Sequence, residues 1–368
     1  MKSSIDQLGL RLRIQKLKET MFAEERFMSI EQAKIVTDVY REHGDLPRNL
    51  LRALALKEAL SRIEIRITPG ELIVGNRTTG VRAGVIFPES GLSWVDREIE
   101  TLPTRAQDKF MVRAGDVAEF KEEIFPFWQG KTLEDILDGR IGGEMRAIGK
   151  VAKINQTDHA QGHICPDTER WLAYGPNGLI ALANEAKTQH PDNAAFYDGP
   201  ILSLEGAQIF MRRYAALARE MPVRSPEKEE LLAISRVCDA LAERPPQTFR
   251  EAVQASWFLY VVLQMESNAS SFSPGRMDQY LYPFYQKEIE SGAMSREDAL
   301  ELIECLFLKF NQIVYLRSSG SAKYFAGFPI VFNVAVGGQD ATGESAENEL
   351  SFLFLRAQEH LLLPQPNL

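Results

Sequence analysis

Two polar concentrations in the chain have residue types that could do chemistry. In the first, residues 154–170 (I-N-Q-T-D-H-A-Q-G-H-I-C-P-D-T-E-R), His159 and His163 stand four apart with Asp158, Cys165 and Asp167 close by. Histidines at i and i+4 on one helical face can share a zinc ion. Gly162 and Pro166 weaken a helix there, and no third ligand follows at a recognisable spacing, so no metal site is expected. His163 then reads as a histidine satisfied within the interior. A reactive thiol needs a depressed pKa or a paired base. Beside apolar Ile164, Cys165 reads instead as a small buried hydrophobe, as do Cys238 and Cys305 on helical core faces.

The second concentration closes the stretch 257–280, W-F-L-Y-V-V-L-Q-M-E-S-N-A-S-S-F-S-P-G-R-M-D-Q-Y. It opens on an apolar run with no polar face, the mark of a helix buried all round. Glu266, Ser267, Asn268, Ser270, Ser271 and Ser273 follow at once. Buried hydroxyls and amides are costly unless each finds a partner. These residues suit helix capping and an irregular turn before Pro274-Gly275. They equally suit the floor of a pocket that offers neutral donors and acceptors to a small polar ligand. Arg276 and Asp278, two apart, read as a backbone clamp near Pro274.

The elements that must position these residues are mostly helices. Residues 1 to about 66 read as wholly helical, with a capping-box pattern at Ser29 to Gln32. Extended pieces are expected on either side of the Pro69-Gly70 turn, then a loop over 82–89 that carries buriable Phe87. A broken helical pattern over 101–153 is interrupted at Pro126 to Trp128. One face stays apolar at Leu204, Ala207, Phe210, Tyr214, Leu217 and Met221, and another at Leu231, Ile234, Cys238 and Leu241. Thr248 to Glu251 should open the buried helix, and Ser295 to Asp298 the helix of Ile303, Phe307 and Phe310. Residues 328–339 form the clearest strand, closed by Gly337-Gly338. An apolar helix over 350–363 precedes P-Q-P-N-L, after which a further element is expected.

With 42 Lys and Arg against 51 Asp and Glu, the 368-residue chain has a formal net charge of -9, and no basic cluster suggests nucleic-acid binding. The longest apolar run, 257–265, is far shorter than the roughly 20 residues that span a bilayer. The N-terminus lacks a signal-peptide core, and three widely spaced cysteines form no disulfide framework. These features suit a cytoplasmic protein with neither nucleic-acid nor membrane partners. Gly175 to Gly178 and Gly337-Gly338 match no phosphate loop or dinucleotide fingerprint.

Six stretches together, 71–77 (E-L-I-V-G-N-R), 82–89 (R-A-G-V-I-F-P-E), 154–163, 245–252 (P-P-Q-T-F-R-E-A), 264–280 and 364–368, make the whole chain resemble the N-terminal half of a glycyl radical enzyme. The branch is the pyruvate formate-lyase-like one that includes the cobalamin-independent diol dehydratases. The resemblance implies an α/β fold: the helix-rich first half of an α/β barrel, incomplete as given, over residues 1–368. It implies a small-molecule substrate and a radical-SAM activating enzyme, which uses S-adenosylmethionine and an iron-sulfur cluster to install a glycyl radical. That radical generates a cysteine thiyl that takes a hydrogen atom from the substrate. Neither the Gly-Cys-x-Glu thiyl motif nor the R-V-x-G-Y radical motif occurs here, so no catalytic residue and no bound cofactor are expected in this chain.

Asn155 and His163 match positions that contact substrate in the diol dehydratases, and Ser271 matches their substrate-contacting serine. Ala269-Ser270 replaces a Gly-His pair, which puts Ser270 in the histidine's place and leaves the substrate unnamed. Implied partners are the missing C-terminal half and, for a complete protein, a second copy in a homodimer. The implied reaction is radical cleavage of a C-O, C-N or C-C bond in a small hydroxylated substrate. Formate C-acetyltransferase and a truncated, non-catalytic binding subunit are the alternatives.

Overall fold

A helix satisfies its own backbone hydrogen bonds, so an apolar run can cross a core in that form. In a computed structural model that describes residues 11–152, 163–222, 227–267, 271–325 and 331–368, the run at 257–265 does so within Phe249–Glu266. The first helices are α1 (Leu12–Ala23), α2 (Glu31–Glu42), α3 (Arg48–Arg62) and α4 (Ser93–Glu98). A broken tract follows: α5 (Ala114–Glu119), a π turn at Phe120–Ile124, α6 (Phe125–Trp128), α7 (Leu133–Arg140) and α8 (Gly143–Gly149). The long central helices are α9 (Thr168–Gln189), α10 (Ala194–Glu220), α11 (Glu227–Glu243) and α12 (Phe249–Glu266). The last are α13 (Met277–Tyr280), α14 (Tyr282–Ser291), α15 (Arg296–Gln312), α16 (Ser319–Phe325) and α17 (Glu349–Leu361).

The expected apolar faces are the core. Leu231, Ile234, Cys238 and Leu241 of α11 are all buried, as are Ile303, Phe307 and Phe310 of α15. Around α12 the burial is nearly complete, with Trp257, Phe258, Tyr260 and Val261 at 0% exposure. A smaller core joins α2 to Phe110, Phe120 and Trp128. α9 turns sharply at Gly175, whose φ of 60° places it in the left-handed region. A Cβ there would meet Pro245 N at 3.1 Å, so glycine serves both the turn and the close approach.

Helix starts follow the sequence unevenly. Ser295 and Asp298 form a reciprocal capping box. Thr248 accepts from Glu251 N, but the Glu251 carboxylate turns instead to Arg244, at 2.8 Å on both guanidinium nitrogens, and to Gln247 N. The expected box at Ser29 to Gln32 does not form, because Ser29 is drawn into a short parallel pair and Ile30 becomes the N-cap. That pair, β1 (Met28–Ser29) with β2 (Gly84–Val85), also corrects the reading of residues 1–66 as wholly helical.

Among the described residues, the extended pieces around Pro69-Gly70 pair with no strand. They lie along α12, and side chains of that helix, with Tyr214 of α10, take the place of a neighbouring strand. Gln254 accepts from Val74 N at 2.8 Å and donates to Val74 O at 2.7 Å. Trp257 Nε1 donates to Gly75 O at 2.9 Å, and Tyr214 OH accepts from Asn76 N at 3.1 Å. Glu71, at the segment's start, is buried against Lys309 at 2.6 Å.

The second sheet is parallel and runs in the order β3 (His163–Ile164), β4 (Ser271–Gly275), β5 (Val331–Val334). Beyond β5 the chain near its C-terminus adds another parallel rung: Val334 N donates to Asn367 O and Asn367 N to Phe332 O, each at 2.8 Å. The expected strand over 328–339 is present in part: β5 ends at Val334, short of Gly337-Gly338, and residues 328–330 lie outside the described residues.

Candidate functional site

Alternation along a strand sends successive side chains to opposite faces. In β4 and β5 it separates an aromatic face from a polar one. Phe272 and Phe332 face the helices, where Phe310 stacks on Phe332 at 4.4 Å between centroids and Tyr260 lies 6.0 Å from Phe272. Ser271, Ser273 and Asn333 take the other face. Parallel sheets are usually apolar on both sides because both are covered. A polar row of this kind departs from that pattern and marks this face as the candidate site.

Three side chains of that row form a ladder. Asn333 Nδ2 donates to Ser271 Oγ at 3.4 Å, and Asn367 Nδ2 donates to Asn333 Oδ1 at 3.1 Å. Ser271 is 2% exposed, whereas Asn333 is half-buried and Asn367 open. On the other side of β4, the backbone of His163 stands in parallel register with Ser271. The histidine loop and the serine-rich exit of α12 thus meet on adjacent strands. Asn155 and Ser270 lie outside the described residues, as does His159. Asn333 and Asn367 were not anticipated as site residues, although the Phe-Asn-Val alternation of β5 already puts Asn333 opposite Phe332.

Beneath the aromatic face runs a chain of hydroxyls that residue types in an apolar run concealed. Tyr260 OH lies 3.4 Å from Thr168 Oγ1 and 2.8 Å from Tyr280 OH, and Tyr280 donates to Pro274 O at 3.0 Å. Burial pushes the Tyr260 phenol up to about 12 and that of Tyr280 well above its ordinary value, so both stay neutral. They tie the end of β4 to α9 and α12 without placing a charge there.

At the C-terminal end of α12, Arg52 donates to Glu266 Oε1 at 2.6 Å. Burial raises the carboxyl of nearby Glu89 above the usual range, partly offset by Arg52. Beside Ile164 an apolar groove of about 660 Å³ opens between α9, α10 and α12, lined by Trp171, Leu204, Leu259 and Leu263. It sits on the helix side of β3 and shares no residue with the Ser271–Asn367 row.

Two expectations need correction. Cys165 is exposed, not buried, because it follows β3 into an open turn ahead of α9; Cys238 and Cys305 are buried as expected. Burial raises the Cys238 thiol, and that of Cys305 to about 12, which keeps both inert. Arg276 and Asp278 do clamp backbone, but after β5 and not near Pro274. Arg276 donates to Gly337 O and Gln339 O, and Asp278 accepts from Gly337 N and Ser351 Oγ. Among the described residues, no three His, Cys, Asp or Glu side chains gather to hold a metal ion, and no helix is long and apolar enough to cross a membrane.

Residues 4–368 match the family model described as pyruvate formate lyase-like. The probable dehydratase YbiW of Escherichia coli (strain K12) is 35% identical over 355 residues, covering 92% of this chain and 44% of that protein. A solved structure described by 1,2-propanediol dehydration in Roseburia inulinivorans superposes with a TM-score of 0.94 at 32% identity, over 97% of this chain and 44% of that one. The glycerol-bound B12-independent glycerol dehydratase from Clostridium butyricum superposes with a TM-score of 0.93 at 32% identity, over 97% of this chain and 46% of that one. The chain thus spans somewhat under half the length of these proteins, and its fold is that of their N-terminal half.

Proposed function

Because the chain belongs to the pyruvate formate lyase-like family, we propose that it supplies the substrate-orienting half of a glycyl radical dehydratase or lyase. The substrate class is a small molecule with hydroxyl-bearing carbon, as the names of the 1,2-propanediol and glycerol structures suggest. Those relatives favour elimination over acetyl transfer to formate.

The observation that carries this function is the polar row on β4 and β5 beside the backbone of His163. Ser271 accepts from Asn333, which sets its hydroxyl among the neutral polar groups of the row. Asn333, held in turn by Asn367, keeps its amide fixed in one orientation. Neutral hydrogen bonds of this kind are worth on the order of 1 kcal/mol each and act by holding the substrate in one pose. His163, with Asn155 and Ser270, completes the set of proposed substrate contacts. The aromatic face behind the row keeps water from the helix side, which suits radical chemistry. A glycyl radical, installed by an S-adenosylmethionine-dependent activating enzyme on polypeptide beyond this chain, would supply the hydrogen-atom abstraction. A homodimer and a cytoplasmic setting complete the proposal.

The test is to produce the chain anaerobically with the complementary half and the activating enzyme, then offer glycerol and 1,2-propanediol and measure aldehyde. Ser271→Ala and His163→Ala should each lower kcat/KM about tenfold or more, the equivalent of roughly 1.4 kcal/mol of lost transition-state stabilisation. Unchanged kinetics in both variants would remove the assigned roles. Formate exchange into pyruvate without polyol consumption would replace the dehydratase reading with formate C-acetyltransferase.

A further inference from the structure

Arg77 follows the segment that α12 holds in place, and its surroundings differ from those of Arg52, Arg105 and Arg213. It is 1% exposed. Its backbone is fixed by neighbours: Trp257 holds Gly75 O, Tyr214 holds Asn76 N, and Arg77 N donates to Asn76 Oδ1 at 2.8 Å. Its Nη2 donates to Val314 O, while Nη1 has no hydrogen-bond partner among the described residues. Three arginines that turn inward illustrate the contrast. Arg105 has Asp108 and the carbonyl of Arg317, Arg52 has Glu266, and Arg213 has the carbonyls of Leu60 and Ile63.

A guanidinium has no accessible neutral form near physiological pH. Burial draws the Arg77 group down only to about 10, with the Tyr315 phenol as its one offsetting neighbour. A buried charge without a counterion costs several kcal/mol, and planar guanidinium donors match the two oxygens of a carboxylate. Relatives of this chain carry more than as many residues again as it matches.

We infer that Arg77 is the cationic half of a carboxylate-binding site, its Nη1 directed at an oxygen that the described residues do not supply. Two sources share this chemistry. One is the carboxylate of a small ligand; the other is an Asp or Glu side chain of the polypeptide that extends the longer relatives. Val314 O accepts from Nη2 and so orients the guanidinium, leaving Nη1 to donate to the incoming oxygen from one direction.

The test uses the purified chain, wild type beside Arg77→Met and Arg77→Lys, in thermal melts with sodium acetate against sodium chloride at equal ionic strength. A saturable rise of about 2 °C or more with acetate in wild type, absent in Arg77→Met, assigns the site to a free carboxylate. No acetate response, with Arg77→Met melting above wild type and Arg77→Lys not, assigns it to a carboxylate of further polypeptide, since the variant sheds an unpaired charge. No acetate response with Arg77→Met melting at or below wild type overturns the inference. Near-ultraviolet circular dichroism of Trp257, packed against Gly75, verifies that each variant retains the native arrangement at this site.

Discussion

Gln254→Met removes the side chain that stands in for a strand beside Val74. Methionine preserves length and volume, so the change isolates the two hydrogen bonds at 2.8 and 2.7 Å from any cavity term. Gln254 is 1% exposed, and both Val74 backbone groups lose their partner where water cannot replace it. Leaving a buried donor or acceptor unsatisfied costs about 1–3 kcal/mol, so two such groups give about 2–6 kcal/mol. Urea denaturation followed by tryptophan fluorescence reads this as a lower midpoint at unchanged slope. Gln15→Met, which removes an exposed hydrogen bond to Glu19 on α1, is the control and should melt with wild type. A Gln254→Met loss below about 1 kcal/mol would refute the claim that helix side chains substitute for strand pairing here.

Other consequences are as direct. Lys309→Met strands the Glu71 carboxylate in the interior and should cost about 3–5 kcal/mol in the same assay, much of it recovered in the Lys309→Met/Glu71→Gln double variant. Glu251 is buried, which alone would raise its pKa, yet hydrogen bonds from Arg244 and Gln247 bring it below its usual 4.5. A depressed carboxyl stabilises the fold above its unfolded value and loses that contribution as pH falls through the folded one. The stability gap between wild type and Glu251→Gln should therefore shrink as pH drops below about 4.5, and a gap constant from pH 7 to 3 would contradict the pairing. Iodoacetamide on the native chain should modify Cys165 and spare Cys238 and Cys305 until denaturant is added, as peptide mass spectrometry would record.

What the sequence disclosed follows from what each signal encodes. An apolar run with no polar face allows one solution, and α12 is that solution. The core faces of α11 and α15 were legible because helical spacing repeats over several turns. Residues 71–77 were not, since β-branched residues report an extended backbone without saying what will satisfy it. Here the partners are Gln254, Trp257 and Tyr214, distant in sequence and individually unremarkable in type. The pattern at Ser29 to Gln32 failed for a related reason: a two-residue pairing with β2 outweighed a local cap. At the candidate site, the resemblance matches both His163 and Ser271 to substrate contacts and so implies that their segments lie together, whereas the Asn333–Asn367 ladder depends on a register that only the fold sets.

The alternation along β4 and β5 divides labour between neighbouring residues of the same strand. Phe272 and Phe332 hold the sheet to its helices, while Ser271, Ser273 and Asn333 stand one position away on the opposite face. Replacing an odd-numbered residue retunes what that face can grip, at little mechanical expense to the scaffold. Diversification of chemistry and preservation of architecture can then proceed on separate tracks, two residues at a time.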